Sequence, residues 1–257
     1  MGLVPTMGAL HEGHTSLIRK ANADNATVLV TIFVNPRQFN ESSDFEAYPR
    51  DEAADVRVCG AAGANLVFIP PVEEVYPHGF QTTVRVGALT EPLEGAARPG
   101  HFEGVTTVVA ILLALARAER AYFGQKDAQQ LLVIRRMAGD LGMATKIVAC
   151  PIVREPDGLA MSSRNTRLTA PQRAAAPVLR RALSAARALY DAGERDAEIL
   201  RATMRVALAA EPLAASEYVS CADPATLQEL DRVAGPALLS MAVRFGAIRL
   251  IDNEPLP

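Results

Sequence analysis

Two histidines three residues apart, His11 and His14, flank a glycine in the stretch Val4-Pro5-Thr6-Met7-Gly8-Ala9-Leu10-His11-Glu12-Gly13-His14. Imidazoles at i and i+3 of a first helical turn share a face, and Gly13 withholds the side chain that would block a ligand's approach. The residues before them are apolar, so a strand, a glycine-bearing turn and a helix N-terminus are predicted in succession. Such a junction aims backbone N–H groups and the positive end of the helix dipole at one spot, which suits a phosphate. The bland alternative is two polar residues on an exposed helix start, and so short a motif does not decide between them.

Three further clusters bear on that choice. In Phe123-Gly124-Gln125-Lys126-Asp127-Ala128-Gln129-Gln130 a strand again ends at a glycine and a helix begins. Lys126 brings a point charge suited to a phosphate, and Asp127 either caps the helix or holds a divalent cation. In Gly158-Leu159-Ala160-Met161-Ser162-Ser163-Arg164-Asn165 two hydroxyls and a guanidinium put several phosphate donors on one short loop. Asn35-Pro36-Arg37-Gln38-Phe39 follows a buried strand, where side chains face the ligand crevice of a doubly wound sheet. Gln38 there has donors and an acceptor for a small polar acid, and Gln130, one turn into the Lys126 helix, can reach the same crevice.

The elements that must position these residues are legible as an α/β pattern. Strands are predicted at residues 3–5, 26–34, 65–69, 121–123 and 146–149, with helices opening at His11 and Lys126 and spanning 51–62 and 105–120. Strand–helix alternation implies βαβ units, hence a Rossmann-like, doubly wound parallel sheet. The Gly- and Pro-rich stretch 91–101 reads as a loop. After Pro151 the character changes: Thr169-Ala170-Pro171 signals a helix start, Pro177 should start or kink a helix, and helices at 178–190 and 197–210 precede strands at 217–220, 238–243 and 248–251. A second, smaller α+β domain is predicted, with domains at residues 1–152 and 153–257.

With 26 Lys+Arg against 29 Asp+Glu the formal charge is −3, so no global basic field points to nucleic acid or an acidic membrane surface, and any anion site is local. Cys59, Cys150 and Cys221 are far apart and read as small buried hydrophobes rather than a disulfide framework or thiolate metal site. No signal segment opens the chain and the longest apolar run, 105–116, is too short to span a bilayer; a cytoplasmic protein is expected. The same apolar helix suits burial in the domain or against a second subunit.

Taken together, these stretches resemble the pantoate–β-alanine ligase family. Ile32-Phe33-Val34-Asn35-Pro36, Tyr48-Pro49-Arg50, Leu93-Glu94-Gly95, His101-Phe102 and Asp157 to Asn165 match it in family order alongside the histidine and lysine clusters. The resemblance implies a fold related to class I aminoacyl-tRNA synthetases and nucleotidylyltransferases, a homodimer, and ATP with Mg²⁺ as the activating pair. The implied reaction adenylates pantoate, after which β-alanine displaces AMP to give pantothenate.

It also implies roles for residues. ATP would meet Met7, Gly8, Ala9, Leu10, His11, Glu12, Gly13, His14, Gly124, Gln125, Lys126, Asp127, Val153, Met161, Ser162, Ser163 and Arg164. Of these, His11, His14, Lys126 and Arg164 are the expected catalytic groups, with His14 as the family's proton donor and Asp127 on Mg²⁺ bound through ATP. Gln38 and Gln130 would hold pantoate, and Gln38 would also meet β-alanine. Thr15 replaces a usual aliphatic, Ala128 a usual aromatic, and the segment that usually precedes the first strand is absent, so packing there is expected to differ. The rival reading is a nucleotidylyltransferase of the same superfamily acting on another small acid or a phosphorylated acceptor. It would want a basic acceptor pocket where this sequence places glutamines.

Overall fold

The computed structural model describes residues 1–40 and 45–257, which divide into two compact units, Met1–Ile152 and Val153–Pro257. In the first, strands β1 (Gly2–Thr6), β2 (Val28–Ile32), β3 (Leu66–Phe68), β4 (Arg120–Gly124) and β5 (Lys146–Cys150) form one sheet of order β3-β2-β1-β4-β5. All its pairings are parallel, Gly2 to Thr6 running beside Val28 to Ile32 on one flank while Gly2 and Leu3 meet Arg120 and Ala121 on the other. The chain winds outward from β1 to β3, returns to the opposite side of β1 and continues through β4 to β5. Strand order therefore reverses between β1 and β4, and the crevice beyond their carboxyl ends is where such sheets bind ligands.

The β-branched strand sequences follow from burial on both faces. Leu3, Ala121 and Phe123 pack with Val105, Val109, Leu112 and Leu113 of helix α3 (His101–Ala116) and with Leu131, Ile134 and Met137 of helix α4 (Ala128–Asp140). Their strand neighbours Val4 and Tyr122 point the other way, joining Leu17, Ile18 and Ala21 of helix α1 (Glu12–Asp24) and Cys59 of helix α2 (Glu52–Ala61). Each fully buried aliphatic side chain contributes about 1.5–3 kcal/mol, so the two layers hold the strand ends at fixed height.

Two expectations shift. Helix α3 opens at His101 rather than at Val105 and stops at Ala116, where Arg117 turns left-handed at φ 46°. Gly104 punctuates the sequence pattern but lies inside the helix, because the backbone of Arg37 and Gln38 packs against the face where its side chain would be. The predicted loop before it contains a one-turn helix, Glu94–Ala97, entered through Leu93 at φ 52°.

In the second unit, helices α5 (Ala170–Ala175), α6 (Val178–Asp191) and α7 (Ala197–Ala209) precede an antiparallel sheet β6-β7-β8 (Ala215–Ala222, Ala237–Phe245, Ile248–Leu256). Thr169 and Gln172 form a capping box and Pro177 stands at the N-cap of α6, so it starts that helix rather than kinking it. Leu179, Leu183, Leu200 and Met204 pack on Leu239, Met241 and Phe245. Pro255, which cannot donate to a ladder, sits on edge strand β8. All three cysteines are buried and free, and no described helix is long and apolar enough to cross a membrane.

Candidate active site

The β1–α1 turn is built by its own side chains. Gly8 at φ 80° and Ala9 at φ 50° bend the chain sharply out of the strand. Gly8 N–H donates to the Thr6 hydroxyl at 3.3 Å, and Ala9 and Leu10 N–H each donate to one oxygen of buried Asp55, both at 2.9 Å. His11 then caps α1: its Nδ1 accepts from Gly13 N–H at 3.1 Å, while His14 Nδ1 accepts from His11 N–H at 3.3 Å. The two rings lie 4.1 Å apart between centroids, tilted by 41°.

Two consequences follow. The turn's main-chain N–H groups at Gly8, Ala9, Leu10, His11 and Gly13 already have internal acceptors, so the expectation of backbone donors aimed at a phosphate is revised here. A second consequence concerns the imidazoles: each accepts at Nδ1, so each neutral ring carries its proton on Nε2. Burial pushes His14 down to about 3, with the nearby His11 and Lys126 charges adding to it. Burial, then Lys126, brings His11 to about 4, against a smaller opposing effect of Asp127. Both rings are thus neutral Nε2–H donors at neutral pH, and polarisation along each N–H···Nδ1 bond strengthens them as donors.

Lys126 and Asp127 lie in the short 3₁₀ turn Gln125–Asp127 that joins β4 to α4, at the carboxyl edge of the strand next to β1. Helix α4 proper begins at Ala128 rather than at Lys126, and Asp127 does not cap it through its side chain. The Asp127 carboxylate stands 3.7 Å from Lys126 Nζ and is half exposed, while the lysine is 20% exposed. Among the described residues no group of three or more His, Cys, Asp or Glu side chains is placed to hold a metal. The single Asp127 carboxylate fits Mg²⁺ only in the manner of an ion that keeps waters and leans on substrate phosphates rather than on a protein cage.

Gln38 is fixed at both ends. Its amide donates to the Met7 thioether at 2.7 Å and its side-chain oxygen accepts from Asn35 Nδ2 at 3.1 Å. Asn35, fully buried, also donates to Gly104 O at 3.0 Å and accepts from Tyr76 O–H at 2.9 Å. The Gln38 carbonyl accepts from His101 Nδ1 at 2.8 Å and from Arg98 at 3.1 Å. That bond fixes the His101 proton on Nδ1, and burial followed by the Arg98 charge lowers this imidazole to about 4. Gln130 is half-buried on the first turn of α4. Its neighbour Gln129 is buried and saturates its amide on the loop before α3, accepting from Glu94 N–H and donating to the Leu89 and Pro92 carbonyls.

Thr15 bonds back to Glu12 through its hydroxyl at 2.8 and 3.1 Å, and Ala128 is buried. The first unit thus brings together His11, His14, Lys126, Asp127, Met7 and Gln38. Val153, Met161, Ser162, Ser163 and Arg164 belong to the second unit. There Met161 N–H donates to Val153 O at 3.0 Å, and Ser162 Oγ accepts from Arg164 N–H at 3.3 Å at the head of the 3₁₀ segment Ser163–Arg167. Arg154 anchors this loop, donating to Gly158 O and, at 2.7 and 3.0 Å, to both oxygens of buried Asp252 on β8.

Sequence reasoning missed Asp55, Asn35 as a positioning group, and the Arg98–His101 clamp. Asp55 reads in sequence as an ordinary first-turn acid of α2, and its partners are 45 and 46 positions away, beyond any local spacing signal.

Sheet order and crevice chemistry together define a class: a doubly wound α/β protein carrying imidazole and ammonium donors at its topological switch point, where proteins of this architecture hold nucleotide phosphates. The pantoate–β-alanine ligase profile matches residues 1–255. Pantothenate synthetases of Chloroflexus aggregans and Roseiflexus castenholzii are each 59% identical to this chain, over 98% of it and 92% and 91% of theirs. A crystal structure of pantothenate synthetase from Thermus thermophilus superposes with TM-score 0.96 at 48% identity, covering 98% of this chain and 92% of that one. The ligase of Francisella tularensis, crystallised with a β,γ-ATP compound and β-alanine, gives 0.80 at 35% identity, covering 98% and 88%. The chain belongs to the pantoate–β-alanine ligase family.

Proposed function

We propose that this protein condenses pantoate with β-alanine at the expense of ATP, through a pantoyl-adenylate. The observation that carries the reading is the reciprocal His11–His14 cap, which leaves two neutral Nε2–H donors next to Lys126 at the switch point of a family member's sheet. In the first step a pantoate carboxylate oxygen attacks the α-phosphorus. The bond to the β-phosphate's bridging oxygen breaks and pyrophosphate leaves. The carboxylate is already ionised at neutral pH, so no base is needed; charge building on the leaving oxygen must be stabilised. His11, His14 and Lys126 do this, and Met7 to Leu10, Gly124 and Gln125 line the nucleotide. His14 acts as a neutral hydrogen-bond donor rather than a titrating acid, because burial holds its imidazole at about 3. Bound Mg²⁺, held at Asp127, would add positive charge at the phosphates.

In the second step the neutral amine of β-alanine attacks the acyl carbon, the carbon–oxygen bond to AMP breaks, and the amine proton leaves to solvent. Gln38, held rigidly by Asn35 and Met7, and Gln130 supply donors and acceptors for pantoate without added positive charge, and Gln38 also meets β-alanine. That neutrality fits an unphosphorylated acid, and with the family match it leaves the nucleotidylyltransferase reading unfavoured. The reading extends to cytoplasmic localisation and to a homodimer, the latter supported by Leu115, which is exposed near the end of the apolar helix α3. AMP release from ATP tests it: release only when pantoate and β-alanine are both present supports the ligase, and AMP release that ignores β-alanine overturns it.

A further inference from the structure

We infer that Asp55 is a positioning residue for adenylation: its buried carboxylate holds the Gly8–Leu10 turn and thereby sets the orientation and tautomer of His11 and His14. The inference rests on the ligase reading for its kinetic consequence but on geometry for its structural one. Asp55 stands on the first turn of α2 and is 5% exposed, and its two oxygens meet two successive main-chain N–H groups, Ala9 and Leu10, at 2.9 Å each. A carboxylate so placed faces the N-terminal ends of both α1 and α2, whose dipoles favour an anion there.

The protein thus supplies its own anion to donors that a phosphate would otherwise attract. Ala9 is held at φ 50°, a conformation that a residue with a Cβ adopts only when its surroundings enforce it. The next N–H along, His11, donates to His14 Nδ1. The chain of constraint therefore runs from Asp55 through Leu10 to the bond that fixes the second imidazole. Gly8 marks how close the carboxylate lies: a Cβ on it would stand 2.7 Å from Asp55 Oδ2.

Asp55→Asn preserves shape but turns one acceptor into a donor that opposes an N–H group. The variant should lower kcat for pantoate-dependent pyrophosphate release about 10- to 100-fold, as loss of outer partners that orient functional groups does, and leave KM for β-alanine unchanged. Imidazole ¹⁵N spectra should show His11 and His14 locked as Nε2–H with acceptor Nδ1 in the wild type and mixed in the variant. Gly8→Ala, whose Cβ would stand 2.7 Å from Oδ2, should give the same mixed imidazole spectra together with the kinetic split, and serves if Asp55→Asn does not fold. A folded Asp55→Asn with wild-type kcat, or with unaltered imidazole spectra, overturns the inference. If the wild type forms no pantothenate, the ligase reading fails instead, and the spectra alone decide the role of Asp55.

Discussion

Replacing Gly104 by alanine sets helix propensity against tertiary contact. Gly104 lies within α3, where alanine is intrinsically better by about 1 kcal/mol. A Cβ there, however, would stand 2.3 Å from Arg37 O, 2.5 Å from Arg37 C and 2.8 Å from Gln38 N, all backbone atoms. Ordinary contact begins at 3.4 Å, so the 36–38 turn must retreat by about 1 Å. Overpacking of this kind costs about 1–3 kcal/mol, leaving a net destabilisation between roughly zero and 2 kcal/mol. The turn carries Gln38, and moving it that far also pulls on the Asn35 bonds to Gly104 O and Gln38 Oε1. A misplacement of about 1 Å at a substrate-orienting group costs on the order of 100-fold, so kcat/KM for pantoate should fall by about that much while urea unfolding shows a loss of no more than about 2 kcal/mol. Steady-state kinetics with pantoate as the varied substrate, on protein shown folded by circular dichroism, reads the effect. A Gly104→Ala enzyme with unchanged kcat/KM for pantoate would refute the claim that this close approach places Gln38.

Other perturbations separate electrostatics from packing. Burial holds His14 near 3 and His101 and His11 near 4, below the ordinary 6.5, so between those values and 6.5 the unfolded chain binds more protons than the folded one. Stability is therefore full above about pH 6.5 and falls as pH drops toward 4, the buried His101 alone accounting for up to roughly 3 kcal/mol; urea midpoints that do not change between pH 7 and pH 4.5 would contradict this. Lys126→Ala or His14→Ala should reduce adenylation by about 10²–10³-fold with the fold retained, as loss of one charge-stabilising donor does, and full activity in either would sink the assignment. Arg154→Ala strands the Asp252 carboxylate, which is 1% exposed, and should destabilise the second unit by about 3–5 kcal/mol in thermal unfolding; an unchanged melting temperature would show the pair to be dispensable.

The strands were legible because two buried faces demand unbroken β-branched runs, and the switch-point location of His11 and Lys126 followed from strand–glycine–helix order. The start of α3 at His101 rather than at residue 105 was not legible, because local sequence cannot show that the Arg37 and Gln38 backbone lies against the helix at Gly104. The His–His cap was half legible: spacing placed both rings on one face, but not that each would spend its Nδ1 on the helix's own N–H groups. Asp55 and the Arg98–His101 clamp were illegible because they act on partners dozens of positions away, and although Asn35 bonds nearby Gln38, what holds Asn35 in place, Gly104 and Tyr76, is as distant.

In the proposed mechanism labour is divided: imidazole and ammonium donors activate ATP, and β-alanine enters only afterwards. Isotope exchange between pyrophosphate and ATP tests this most directly. Exchange that requires pantoate and proceeds without β-alanine is the predicted result. Exchange that is absent until β-alanine is added would contradict a separate adenylation step.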